Sequence, residues 1–204
     1  MGKWPKIGVM GGTFDPIHLG HLVLAESVRE SLELQEVIFV PTALPPHKEL
    51  INITNSKHRY EMVKNAIATN PFFSITDFEI QHEDISYTID TIKHLMEKNN
   101  YEVDLFFITG ADALMQILTW RDIEELLVLC NFVAATRPGT NISELKTFMS
   151  SLPMCFQEKI QLLVMPALDI SSTLIRQRIN KGKSIKYLVT AEVEEYIYEH
   201  ELYQ

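Results

Sequence analysis

The chain has 204 residues, 46% of them apolar, enough to bury the core of one domain over residues 1–204. A formal net charge of −9 argues against a general nucleic-acid binder and against a protein drawn to anionic membranes. No apolar run approaches a membrane span, the first residues lack the apolar core of a signal peptide, and Cys130 and Cys155 form no C-x-x-C pair.

A cytoplasmic protein with both thiols reduced and buried is therefore expected. An acidic protein that handles phosphates must gather its cations locally, so each Arg and Lys near a motif gains weight.

Ile7-Gly8-Val9-Met10 is too short for a helix and reads as a buried strand. It runs into Gly11-Gly12-Thr13-Phe14-Asp15-Pro16-Ile17-His18-Leu19-Gly20-His21. Glycine tolerates positive φ and lets backbone approach a ligand closely, so Gly11-Gly12 suits a turn that presses N–H groups against phosphates. The apolar residues Leu22, Leu24, Ala25, Val28 and Leu32 then repeat at helical spacing, with Glu26, Arg29, Glu30 and Glu33 opposite. Strand, glycine turn and helix N-terminus together make an anion site. His18 and His21 lie three apart, and Gly20 between them leaves room for a ligand. Each feature alone reads as structural at least as readily. The string matches neither G-x-G-x-x-G nor a P-loop, and the histidines lack the metalloprotease H-E-x-x-H spacing.

Glu36–Val40 is the second strand, so the helix before it completes a right-handed βαβ unit. The Pro-rich loop Pro41–Lys48 follows, stiff enough to hold the Lys48 ammonium at the sheet edge, although a solvated turn is the simpler reading. Ser56–Thr69 reads as a helix on Tyr60, Met62, Val63, Ala66 and Ile67, with Ser56 as its cap. Phe72–Ile80 alternates like a strand. Ser86-Tyr87-Thr88-Ile89-Asp90-Thr91 opens a helix to about Lys98.

Val103–Gly110 is a continuous apolar run, as expected of a parallel strand covered on both faces. It ends in Gly110-Ala111-Asp112, where the carboxylate suits ribose hydroxyls and equally a helix cap. Trp120 suits either a core or a stacking platform. Asn131–Thr136 is a strand ending at Arg137, which fits a phosphate contact or an ordinary turn. A helix over Asn141–Ser151 and a last strand over Ile160–Met165 follow. In Ile170-Ser171-Ser172-Thr173-Leu174-Ile175-Arg176 the hydroxyls open a helix whose apolar face is Leu174, Ile175 and Ile179. One Ser would suffice as a cap, whereas three hydroxyls with Arg176 one turn on make an anion site. A helix from Ala191 to about His200 closes the chain.

The eleven-residue string from Gly11 to His21 resembles the signature of the HxGH nucleotidyltransferases, in the variant of the bacterial nicotinate-nucleotide adenylyltransferase family. Ile170–Arg176 is similar to that superfamily's second signature, and the likeness covers essentially the whole chain. One departure is Val189-Thr190, where a proline is expected. The resemblance implies a single Rossmann-like, doubly wound α/β domain that transfers AMP from MgATP to nicotinate mononucleotide. It implies catalytic roles for His18, His21, Lys48 and Arg176. ATP contacts would come from Gly11, Gly12, Thr13, Phe14, Ile170, Ser171, Ser172 and Arg137. The acceptor would meet Thr88, Gly110, Asp112 and Trp120, with its ring stacked on Trp120. Mg²⁺ would ride on the triphosphate with few protein ligands; Asp15 either reaches it or fixes the turn.

The expected partners are thus ATP and nicotinate mononucleotide, with neither nucleic acid nor membrane, and a homodimer stays open. Three other readings remain. A phosphopantetheine adenylyltransferase is typically shorter and lacks the Ser86–Thr91 and Gly110–Trp120 patterns. A non-catalytic nucleotide sensor would not need both histidines and Arg176. A dinucleotide oxidoreductase lacks its fingerprint.

Overall fold

The computed structural model describes residues 4–44, 53–82, 85, 87–136, 141–164 and 168–204. Lys48 and Arg137 lie outside them, as do Ser86, Met165 and the second half of the Pro-rich loop. Strands β1 (Lys6–Gly12), β2 (Glu36–Pro41), β3 (Phe73–Ile75), β4 (Asp104–Gly110), β5 (Cys130–Thr136) and β6 (Ile160–Val164) form one sheet. Its order is β3-β2-β1-β4-β5-β6, and every pairing is parallel. The chain first builds outward from β1 through β2 to β3, then returns to β4 on the other side of β1. The order therefore reverses between β1 and β4. In such a sheet the strand ends at that point splay apart and leave a crevice for ligands.

Side-chain alternation along the strands fills two cores. Leu105 and Phe107 face one layer, made with α4 (Thr88–Lys98), α6 (Ile123–Leu129) and α7 (Ile142–Ser151). Phe106 and Ile108 face the other, made with α1 (Leu19–Leu32), α2 (Ser56–Ile67), α9 (Ser172–Asn180) and α10 (Ala191–Glu199). The doubly wound α/β architecture expected from the sequence is present. Among the described residues no helix is long and apolar enough to cross a membrane.

Local expectations fail in four places. The alternating run Phe72–Ile80 is a strand only at Phe73–Ile75; Phe78–Gln81 turns into a short helix, α3, which buries Glu79. The cap of α2 is Asn55, whose side chain accepts from the Lys57 N–H, so Ser56 is the first helical residue. Leu174 is exposed, leaving Ile175 and Ile179 as the buried face of α9. Cys130 is buried, and desolvation raises its thiol pKa to about 12, whereas Cys155 is exposed. At the departure from the expected proline, the Thr190 hydroxyl accepts from the Val193 N–H and caps α10. A cap needs only an acceptor there.

Candidate functional site

Strand β1 reaches the switch point with its two glycines still extended. Gly11 and Gly12 pair with Val40 and Pro41, and among the described glycines only Gly182 has positive φ. The expectation that Gly11-Gly12 form the turn is therefore corrected: they stay in the strand, and Phe14, at φ 49°, makes the bend. What requires glycine is space. A Cβ on Gly11 would lie 3.2 Å from the Phe107 ring, and one on Gly12 would lie 3.0 Å from the Phe14 ring. The bend continues through Asp15 and a cis peptide to Pro16, and α1 starts at Leu19.

His18 occupies the N-cap position of α1, only 4% exposed. Its ring stacks on His21 at 3.7 Å between centroids, and Phe14 meets His21 edge-on at 5.1 Å. The His18 backbone N–H donates to His21 Nδ1 at 3.2 Å. A nitrogen that accepts in this way leaves the proton of a neutral imidazole on Nε2, so His21 presents an Nε2–H donor. Gly20 now has a concrete reason. A Cβ there would press on His18 Nδ1 at 3.0 Å and Cε1 at 3.1 Å, with the Ile170 carbonyl 3.6 Å away. The room read as space for a ligand is filled by the His18 ring itself.

The second signature is folded onto the first. Ser171 caps α9 by accepting from the Leu174 N–H at 3.2 Å. The Ser172 hydroxyl donates to the Pro16 carbonyl at 2.9 Å. Arg176 donates from Nη1 to the Asp15 carbonyl at 2.7 Å and from Nη2 to the Thr173 hydroxyl at 3.4 Å. Two of the five guanidinium donors are thus committed to the protein. The hydroxyls serve as cap, tie and acceptor.

Three residues that the motifs did not flag hold the turn from other sides. Arg59, 1% exposed, donates to the carbonyls of Thr13 at 2.7 Å, Thr54 at 2.8 Å and Ala43 at 3.0 Å. Burial lowers its pKa from the usual value, and the charges of Asp15 and Glu79 oppose that shift. Asp15 accepts from the Tyr203 hydroxyl at 2.8 Å and from the Thr54 N–H at 3.4 Å. Its carboxylate thereby fixes the turn. Among the described residues no group of three or more His, Cys, Asp or Glu side chains could hold a metal ion.

A cavity of about 510 Å³ opens beside the turn, between the ends of β1 and β4. That volume suits a small-molecule ligand. Gly11, Gly12 and Thr13 line one side, Phe107 and Thr109 the floor, and Tyr87, Thr88, Thr91, Trp120 and Arg121 the far wall. Trp120 is fixed edge-on against Phe107 at 5.6 Å and Phe132 at 5.7 Å. Arg121 lies over the Tyr87 ring at 4.5 Å. The buried Glu79 also lines the cavity, and its Oε1 accepts from the Thr91 hydroxyl at 2.6 Å. Gly110 caps the short helix α5 (Ala111–Leu114), so Asp112 is not its cap; it lies exposed in the first turn and does not line this cavity.

The Arg59 contacts had a signal in the sequence. Arg59 precedes Met62, Val63 and Ala66 by three, four and seven residues, which puts a cation on the apolar stripe of α2. For Glu79 and Tyr203 no local pattern existed.

Comparison with known proteins identifies the family. A cytidylyltransferase-like family model matches residues 9–178. A relative from Moorella thermoacetica, named "Probable nicotinate-nucleotide adenylyltransferase", is 49% identical over 199 residues, covering 98% of this chain and 92% of its own. One of the same name from Leifsonia xyli is 50% identical over 200 residues, covering 98% and 94%. A solved structure, the Plasmodium falciparum nicotinic acid mononucleotide adenylyltransferase complexed with NaAD, shares the fold. Its TM-score is 0.80 at 24% identity, covering 98% of this chain and 97% of that one. With both signatures at one switch point and relatives matching along nearly the full length, the chain belongs to the nicotinate-nucleotide adenylyltransferase family of cytidylyltransferase-like enzymes.

Proposed function

We propose that the protein transfers AMP from MgATP to nicotinate mononucleotide, giving nicotinate adenine dinucleotide and pyrophosphate. The reading rests on the meeting of the Gly11–His21 turn with the start of α9 beside a ligand-sized cavity.

The acceptor's phosphate oxygen is already ionised at neutral pH, so no general base is needed. It attacks the α-phosphorus in line, the bond from that phosphorus to the bridging oxygen breaks, and pyrophosphate leaves. No covalent enzyme intermediate forms. Catalysis then consists of alignment and neutralisation. Holding two anions in line supplies up to about 7–11 kcal/mol. Each well-aimed donor onto developing charge adds on the order of 3 kcal/mol.

His18 and His21 serve the α-phosphate and the bridging oxygen, His21 through its Nε2–H. Arg176, with its remaining donors, and Lys48 hold the departing pyrophosphate, and Arg137 contacts the nucleotide. The first-turn N–H groups of α9 and the backbone of Gly12-Thr13 support the phosphates. Mg²⁺ belongs to the substrate, held by the triphosphate. In the acceptor site Thr88 and Trp120 bound the pyridine ring, while Gly110 and Asp112, which do not line that cavity, are assigned to the ribose. The cytoplasm, where ATP and this acceptor are present, is the proposed setting.

The test is pyrophosphate release with MgATP and, in turn, nicotinate mononucleotide, nicotinamide mononucleotide or phosphopantetheine. Strong turnover with the first alone is expected. Turnover with another acceptor overturns the pocket assignment but keeps the chemistry. ATP binding without turnover on any of them points to a sensor.

A further inference from the structure

Asp15 sits where three separate parts of the chain converge on the turn. Its backbone carbonyl accepts from Arg176, its Oδ2 from the Thr54 N–H, and its Oδ1 from the Tyr203 hydroxyl. The carboxylate is 4% exposed and faces the buried charge of Arg59, which grips Thr13 and Thr54 on either side. Charge and hydrogen bonds therefore both hold this carboxylate in place.

Tyr203 is the one partner of this carboxylate that lies beyond α10. Its backbone is left-handed at φ 66°, and the preceding N–H, that of Leu202, donates to the Ile197 carbonyl, which turns the chain back from the helix end. Both residues pack on the core beneath the turn. Burial and the neighbouring carboxylate push the phenol above its ordinary pKa, so at neutral pH it is a hydroxyl and can only donate to Asp15. The Leu188 carbonyl, between α9 and α10, also accepts from the Leu19 N–H in the first turn of α1. The late segment of the chain thus touches the catalytic turn at both of its ends.

We infer that Tyr203 is a positioning residue for adenylyl transfer, its hydroxyl fixing the Asp15 carboxylate and through it the aim of His18 and Arg176. This rests on the roles proposed above for those two residues. Without the hydroxyl, Oδ1 of a buried carboxylate loses its donor, and a guanidinium already at hand is that of Arg176, which donates to the Asp15 backbone carbonyl and whose charge bears on Tyr203. Arg176 drawn toward the carboxylate is Arg176 drawn off the leaving group. The acceptor cavity has other walls, so nicotinate mononucleotide should bind as before.

The test uses the full chain with Tyr203→Phe, Asp15→Asn, their double variant, Leu202→Ala and, in parallel, His18→Ala. Tyr203→Phe should lower kcat for pyrophosphate release at least ~10-fold with the KM for nicotinate mononucleotide unchanged, the scale expected for a small misplacement of reacting groups. In the Asp15→Asn background the same change should cost nothing further, since coupled residues do not add. Leu202→Ala, which removes packing but no donor, should lower Tm at least as much yet keep kcat within ~2-fold. Wild-type kcat in Tyr203→Phe overturns the inference. So does an undiminished loss in the Asp15→Asn background, or a kcat that follows Tm alike in Tyr203→Phe and Leu202→Ala. If His18→Ala turns over normally, the failure lies in the site assignment and not in Tyr203.

Discussion

The ends of β1 and β4 face each other across the same crevice, yet they are built in opposite ways. After β1, the turn from Thr13 to Pro16 is held from outside by Arg59, Thr54, Ser172, Arg176 and Tyr203. Glycines there are forced by rings that crowd them, Phe107 on Gly11 and Phe14 on Gly12. At the end of β4, Gly110 has φ −78° and no atom within 4 Å of where a Cβ would stand, and Asp112 is exposed. One side is finished by the protein itself. The other has shape left over. A phosphate-handling centre gains from rigidity, because donors held in place need no reorganisation when charge develops. A site that must admit an acceptor and release a larger product gains from openness.

Arg59→Met is the severest way to break the rigid side. It leaves three carbonyls, that of Ala43 buried and those of Thr13 and Thr54 partly so, without their donor and the Asp15 carboxylate without its opposing charge, each buried unsatisfied group costing roughly 1–3 kcal/mol. We expect a loss of at least ~3 kcal/mol in urea unfolding; a smaller one would mean water replaces the guanidinium. His18→Ala comes next, lowering kcat at least ~100-fold with little change in ATP affinity or Tm. Near-normal turnover would remove His18 from the chemistry. Gly20→Ala follows, at ~10-fold or more in kcat, because the new methyl must displace the His18 ring. Should kcat hold, the ring's placement is not what matters. Gly110→Ala sharpens the contrast from the open side: Tm should stay within ~1 °C, since any residue tolerates that φ and nothing is crowded. A several-fold rise in the acceptor KM at that unchanged Tm would show that the ligand, and not the protein, wants glycine there.

The strands and the opening of α9 were legible in the sequence because their signals are local. Val103–Gly110 is a run of apolar residues whatever surrounds it, and Ile170–Arg176 has its hydroxyls in succession. Phe72–Ile80 misled because short alternation suits a strand, whereas the chain bends after Ile75 so that Glu79 can meet Thr91 across a buried hydrogen bond. Helix α6 and the short α8 (Met154–Gln157) were not anticipated, being too brief for a clear period. The grip on the turn was least legible. Asp15 and Tyr203 are 188 positions apart, and no spacing rule connects a carboxylate to a phenol at that distance. What the motif did reveal is which backbone had to be held.

That arrangement has a consequence for timing. Residues 11–21 leave the ribosome before the residues that hold them, and the apolar half of β1 can begin to pair as soon as β2 follows it. Yet the donors that set the turn arrive later, at positions 54, 59, 172, 176 and 203. Contacts of such separation form late, because closing the intervening chain must come first. A turn synthesised before its donors is therefore completed after them, and a nascent chain can carry a well-formed sheet while its histidines still lack their final aim.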